Sequence, residues 1–363
     1  MTIHLQPKMN SFFLGITSLM AVSLIGCGSK NMSFDLLSES ASFSQSSAEI
    51  NGKIDILWVI DNSGSMASSQ TNIANNFRSF IQKFEENGYD FQIAVATSDA
   101  FRDLYTTGSR SKYARGVYQD DLGNNVTAPA ILLPTTPDLE KAFMANVKRG
   151  TSGSGDERTF QSMATALDNT DNKALGFPRA DAFLSVIMVT DEDDFSWSGS
   201  TDIDWQYDNP NIHTPQMYVD FMDTLTASTS TNRSYNINTI AIFDEACRQQ
   251  AMGGTPNNYH RIAIRHRDLS DLTGGLKASI CDNFATSLDS ISNRIIELST
   301  QFYLDRVPRP GSLRVYVNLV EIPQNGANGF TYNSTNNSIT FHGTGVPVAG
   351  AQISVSYDPI ELR

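Results

Sequence analysis

Basic residues are scarce in this chain. Its 363 residues carry 26 Lys and Arg against 39 Asp and Glu, a formal net charge of -13. With no cationic excess to displace counterions, a nucleic-acid backbone is excluded as a partner, whereas an acidic molecule suits a divalent cation. Histidine is also sparse, with five residues scattered along the chain. None falls in a zinc-ligand spacing. His260 and His266 lie in a basic helical stretch beside no evident Cys or Ser nucleophile, and no Gly-rich loop is followed by a Lys for phosphate. These absences leave catalysis without support, so a non-enzymatic binding role is expected. Cysteine is limited to Cys27, Cys247 and Cys281. The apolar run from Phe12 to Ile25 is too short to span a bilayer comfortably.

That run follows Lys8 and ends in Leu24-Ile25-Gly26-Cys27, so residues 1–26 have the order of an export signal. The tetrapeptide resembles the lipobox of bacterial lipoproteins. The resemblance implies that the Cys27 thiol receives a diacylglycerol and becomes the new N-terminus, anchoring the chain in the bacterial envelope. Gly28 at the next position, where an Asp would retain the chain inside, favours the outer membrane, on its periplasmic face or at the cell surface. Residues 27–52 are Ser-rich and aperiodic and are expected to be a flexible tether. With Cys27 assigned to lipid, Cys247 and Cys281 are left as an even pair expected to bridge in an oxidising compartment.

From Lys53 to Gln301 strand and helix alternate. The runs "IDILWVI", "FQIAVAT", "AFLSVIMVT" and "YNINTIAIF" are short and β-branched, as buried parallel strands are. Helical periodicity fills the intervals, as in "MASSQTNIANNFRSFIQKFEENG" and "DNFATSLDSISNRIIELS". The pattern predicts an α/β fold with a doubly wound, mostly parallel sheet flanked by helices over residues 53–301. Ligands of such sheets sit outside the carboxyl ends of the strands.

One strand ends abruptly in Asp61, Ser63 and Ser65, three oxygen-bearing side chains at alternate positions. Alternate side chains of a turn can converge, and one carboxylate with two hydroxyls suits Mg²⁺ or Mn²⁺ without neutralising it. The cation then stays able to accept a carboxylate from a partner. A bland alternative is a helix N-cap region ahead of "MASSQTNIANNF". This Asp-x-Ser-x-Ser after an apolar strand resembles the metal-ion-dependent adhesion site of von Willebrand factor type A domains. "SVIMVTDEDD" is similar to the family's second strand, whose terminal Asp, here Asp191, reaches the metal through water. The family's third-loop Thr has no clear counterpart in "GTSGSGDERTFQSMATAL". Thr151, Glu157 and Thr159 are the candidates, and Glu157 is the expected ligand, although Ser154 to Glu157 also has capping-box spacing. Glu192, Asp193 and Asp194 are expected to face solvent or cap the following loop, or to hold a second cation, Ca²⁺. The long loop after them, with Trp197, Trp205 and Tyr207, is either a binding surface or packing for the sheet.

After the prolines of "VPRPGS" the texture becomes alternating apolar and polar, with a hairpin signal at "NSTNN". Residues 305–363 are therefore expected to form a small antiparallel β domain docked on the larger one. The resemblance implies a membrane-anchored module that captures a protein or glycan ligand, offering a carboxylate to the metal, in adhesion or envelope assembly. The alternative is a scaffold subunit of an envelope complex whose metal site serves fold stability.

Overall fold

The computed structural model describes residues 43–203, 206–253 and 260–360. The expected export signal, Cys27, the expected tether up to residue 42, and Trp205 lie outside the described residues. In chain order the elements are β1 (Phe43–Glu49), β2 (Lys53–Ile60), α1 (Ala67–Glu86), β3 (Asp90–Thr97), β4 (Val117–Gln119), β5 (Asn125–Thr127), α2 (Leu139–Val147), α3 (Thr159–Asp168) and α4 (Thr170–Lys173). There follow β6 (Phe183–Val189), α5 (Pro215–Leu225), β7 (Tyr235–Ala241), α6 (Glu245–Ala251), α7 (Ile264–Thr273), β8 (Lys277–Ser279) and α8 (Phe284–Ser299). The last part holds β9 (Phe302–Tyr303), β10 (Arg314–Val317), β11 (Val320–Ile322), β12 (Gly329–Asn333), β13 (Ser338–His342) and β14 (Gln352–Tyr357).

Five strands form a parallel sheet in the order β3-β2-β6-β7-β8. The period-2 alternation of β2 explains why helices cover both faces. Ile54, Ile56, Trp58 and Ile60 pack with Phe77, Phe80 and Phe84 of α1, Phe143 of α2 and Leu288 and Ile295 of α8. Leu57 and Val59 point the other way, into a second core with Phe160 and Met163 of α3, Val219 and Met222 of α5 and Leu269 of α7. Within the first core Phe77 stacks on Phe143 at 3.8 Å and Trp58 meets Phe80 edge-on at 5.3 Å. The exception to the apolar run is Asp55, fully buried, whose charge is met by Arg179 at 2.7 Å.

Strand order decides where a ligand crevice opens. From β2 the chain moves outward to β3, then returns past β2 to β6 and continues to β7 and β8. Loops leaving the carboxyl ends of β2 and β6 therefore diverge to opposite faces, and the gap between them is the switch point at which ligands of open sheets bind. Asp61 and Asp191 stand at those two ends.

The C-terminal segment builds two antiparallel sheets, β1-β14-β10-β11 and β12-β13-β9. Val315, Ile353, Val355 and Tyr357 of one share a core with Phe330, Ile339 and Phe341 of the other. Within the expected tether of residues 27–52, the part Phe43–Glu49 is instead a strand, paired antiparallel with β14. Its Ser-rich sequence shows no apolar period because it is an edge strand held by backbone bonds, with Phe43 against Tyr357 at 5.3 Å as its main packing contact. The β sheets dock on the α/β part through His342 to Glu297 at 3.1 Å, Tyr89 Oη to the Pro347 carbonyl at 3.2 Å, and Ala349 N to the Asn87 carbonyl at 3.2 Å. Cys247 of α6 and Cys281 after β8 form a disulfide, with Cα atoms 5.6 Å apart. Among the described residues no helix is long and apolar enough to cross a membrane.

Candidate metal centre

The end of β2 is held in place by hydrogen bonds on every side. Asp61 N donates to the Val189 carbonyl at 2.9 Å, continuing the ladder with β6. Its carboxylate accepts from Ser63 N at 2.7 Å, an Asx turn that reverses the chain, and from Thr190 Oγ1 at 2.9 Å. Ser98 Oγ lies 3.4 Å from the same carboxylate. Gln70 Nε2, from the first turn of α1, donates both to the Asp61 carbonyl at 3.0 Å and to the Gly150 carbonyl at 2.8 Å. The turn brings Ser63 Oγ and Ser65 Oγ to 3.4 Å from each other. Met66, the residue that precedes α1, makes no side-chain cap, and Asp61 does not reach the helix, so the N-cap alternative is set aside.

Burial and charge make this a costly arrangement for the bare chain. Asp61 is fully buried, and with the Asp191 carboxylate nearby its own carboxyl is pushed up to about 6. Burial is the larger cause and the Asp191 charge the second. Asp191 is itself buried; one of its oxygens lies 3.2 Å from His260 Nδ1, and the other, Oδ1, is buried with no hydrogen-bond partner among the described residues. That contact with Asp191 holds His260 above the ordinary imidazole range. An oxygen of this kind, with the Asp61 carboxylate nearby, is what a hard cation would satisfy.

Among the described residues no three His, Cys, Asp or Glu side chains are grouped to hold a metal ion. A cation at the switch point would therefore rest on two carboxylates, Asp61 and Asp191, with Ser63, Ser65 and water, a set that fits Mg²⁺ or Mn²⁺. Glu157, the expected third-loop ligand, is buried, and its carbonyl accepts from Phe195 N at 2.7 Å. The other two third-loop candidates differ in setting. Thr151 is exposed, and Thr159 Oγ1 is engaged by His266 Nε2 at 2.7 Å and Asp194 at 3.3 Å. The Ser154 to Glu157 capping box does not form either, since Ser154 Oγ accepts from Asp156 N at 3.1 Å and α3 starts only at Thr159.

The expected solvent exposure of the rest of the acidic run is corrected, while Asp194 does cap the following loop, accepting Ser196 N at 3.0 Å. Glu192, Asp193 and Asp194 are all buried. The reason lies at two helix starts whose preceding residues, Arg158 and Ala263, make no side-chain cap. Asp194 Oδ2 accepts Phe160 N at 2.9 Å in the first turn of α3, and Asp193 Oδ1 accepts Arg265 N at 3.0 Å in the first turn of α7. Ser196, Tyr207 and Arg265 bond further to the pair, so these two acids serve the helices and the loop that follows. His266, which shows no partner in the sequence, links Thr159 to Asp193 as a buried Thr-His-Asp chain sealed from solvent.

Two neighbours of the site escaped the sequence reading although the same signal marks them. Ser98 and Asp99 follow β3 as Asp61 follows β2. Asp99 accepts from Ser154 N at 3.1 Å and lies 3.4 Å from Asn62 Nδ2, fixing the third loop to the first. Gly153 N donates to the Asn62 carbonyl at 2.8 Å, and a Cβ at Gly153 would sit 2.5 Å from that oxygen, so only glycine allows the two loops this approach. In the aromatic loop Trp197 packs down, with Arg158 5.7 Å from its ring and its indole N–H bonded to the Thr201 carbonyl, while Tyr207 stays 44% exposed.

No protein-family model and no curated protein matches this chain. Among solved structures it is similar to the pilus adhesin SpaC from Lactobacillus rhamnosus GG, at 13% identity and a TM-score of 0.36, covering 84% of this chain and 38% of that one. It is also similar to proximal thread matrix protein 1 from the mussel byssus, at 12% identity and a TM-score of 0.35, over 71% of this chain and 51% of that one. The pilus adhesin RrgA from Streptococcus pneumoniae matches at 10% identity and a TM-score of 0.30, over 87% and 58%. The chain thus spans less than two thirds of the length of each of these structures. Likeness at these scores carries no argument about function.

Proposed function

We propose that this protein is a binding module of the von Willebrand factor type A kind, lipid-anchored in the bacterial envelope, that captures a ligand through a divalent cation. The observation that carries the reading is the pair of buried strand-end carboxylates at the switch point, one pushed toward neutrality by burial and by the other's charge, and the other with an oxygen lacking a hydrogen-bond partner among the described residues. Asp61 and Asp191 would hold Mg²⁺ or Mn²⁺ together with Ser63 and Ser65. The cation would supply an electrophilic position for a carboxylate of a protein or glycan. The chain's own residues do the rest: Thr190 and Ser63 N orient Asp61, Gln70 ties the turn to α1, and His260 orients Asp191. Anchoring through Cys27 rests on the Leu24 to Cys27 motif, and the Cys247–Cys281 disulfide suits an exported chain.

The test is capture of carboxylate-bearing ligands, acidic peptides and uronic-acid glycans, on immobilised protein with Mg²⁺, with chelator, and with Asp61→Ala. Capture that needs both metal and Asp61 supports the reading. Capture indifferent to chelator contradicts it, and metal binding without any capture favours the scaffold alternative.

A further inference from the structure

We infer that the groove between β4 and α2 docks an extended acidic peptide segment of a partner protein. The groove has a volume of about 480 Å³, and its walls are Gly116 to Gln119 on one side and Lys141, Met144, Lys148 and Arg149 on the other. No carboxylate lines it, in a chain with thirteen more acidic than basic residues. Lys148 and Arg149 are exposed and, among the described residues, pair with no carboxylate. Lys141 pairs, among the described residues, with the exposed Asp121.

The opposite wall offers backbone rather than charge. Among the described residues β4 pairs with β5 alone. Ala128 N donates to the Gly116 carbonyl and Asp120 N to the Asn124 carbonyl, so the even-numbered residues of β4 face β5. By the alternation of antiparallel ladders, the N–H and C=O groups of Val117 and Gln119 face the open edge. One end of β4 is pinned to α2, because Gly116 N donates to Asn146 Oδ1 at 2.7 Å and a Cβ at Gly116 would lie 2.0 Å from the Ala145 carbonyl. An edge with outward donors and acceptors spaced two residues apart takes an added strand, and cations on the facing helix select acidic side chains on it. This spacing matches a peptide backbone, which decides against a glycan. The cationic end also leads toward the metal centre, since Arg149 precedes Gly150, whose carbonyl shares Gln70 with Asp61. The docking stands without the metal.

The test is fluorescence anisotropy of a labelled ten-residue peptide alternating Glu with Val and Thr, titrated with the mature chain in EDTA and in Mg²⁺. Two variants accompany it. Lys148→Glu with Arg149→Glu reverses the charge, and Val117→Pro removes only an N–H on the open edge, a substitution that edge strands tolerate. We expect salt-sensitive binding in both buffers, weakened about tenfold or more by the double variant and severalfold by Val117→Pro, with circular dichroism unchanged. Absence of binding, or binding untouched by the double variant, overturns the inference. Loss of binding in EDTA alone moves the peptide to the metal centre and overturns the groove while supporting the metal. Equal binding of an acidic glycan, indifferent to Val117→Pro, overturns the peptide assignment.

Discussion

Asp61→Asn should stabilise the metal-free protein at neutral pH, although it removes the residue on which the site depends. The Asp61 carboxyl is raised from 3.8 to about 6 by burial and by the Asp191 charge. The folded chain therefore holds a proton that the unfolded chain releases, and stability falls as pH rises through the window from 3.8 to about 6. Two pH units at about 1.4 kcal/mol each is about 3 kcal/mol lost above that window. The amide of Asn carries no charge, keeps one acceptor for Ser63 N and gives up roughly 1 kcal/mol of hydrogen bonding. Urea unfolding in EDTA should thus show the variant about 1–2 kcal/mol more stable than wild type at pH 7.5, with the two curves crossing inside the window and the variant about 1 kcal/mol the less stable at pH 4. The difference between the curves isolates Asp61 from Asp55 and Asp156, whose carboxyls burial also raises. Adding Mg²⁺ should reverse the order at pH 7.5, because binding stabilises only the chain that holds the ion, and the effect should fade below pH 6 as the proton competes. A variant less stable than wild type in EDTA across the whole range would refute the reasoning.

Three further outcomes follow from the packing. Arg158→Met leaves Asp156 without its partner at 2.6 Å and frees the Gly199 and Thr201 carbonyls, so chemical denaturation should register a loss of about 3–5 kcal/mol. A chain beginning at Lys53 lacks β1 and bares the edge of β14, and it should self-associate on size exclusion where a chain beginning at Ser42 stays monodisperse. Replacing Cys281 by Ser opens a loop of 34 residues and should cost about 3–4 kcal/mol, measured beside the reduced wild type, which should show the same loss.

The parallel sheet was legible because its strands are buried on both faces, and runs such as "FLSVIMV" then carry the signal in composition alone. The strand-end oxygens were legible for the same reason, an abrupt change from apolar to polar at Asp61 and Asp191. β1 was not, because an exposed edge strand imposes no apolar period on Ser44 to Glu49. The burial of Asp193 and Asp194 was not either. Their acceptance of helix N–H groups depends on α3 and α7 meeting the loop in space, and no local spacing encodes it. Likewise the Thr159 to His266 bond joins residues 107 positions apart, a juxtaposition that only the finished fold creates.

A divalent cation at the switch point between β2 and β6 is what the proposed function depends on. Calorimetric titration of Mg²⁺ and Mn²⁺ into the metal-free chain at pH 7.5, with Asp61→Ala and Asp191→Asn beside it, reads that binding without a ligand. One saturable site is expected in the wild type, lost with Asp61→Ala and weakened with Asp191→Asn. No heat of binding in the wild type, or the same site in Asp61→Ala, would contradict it.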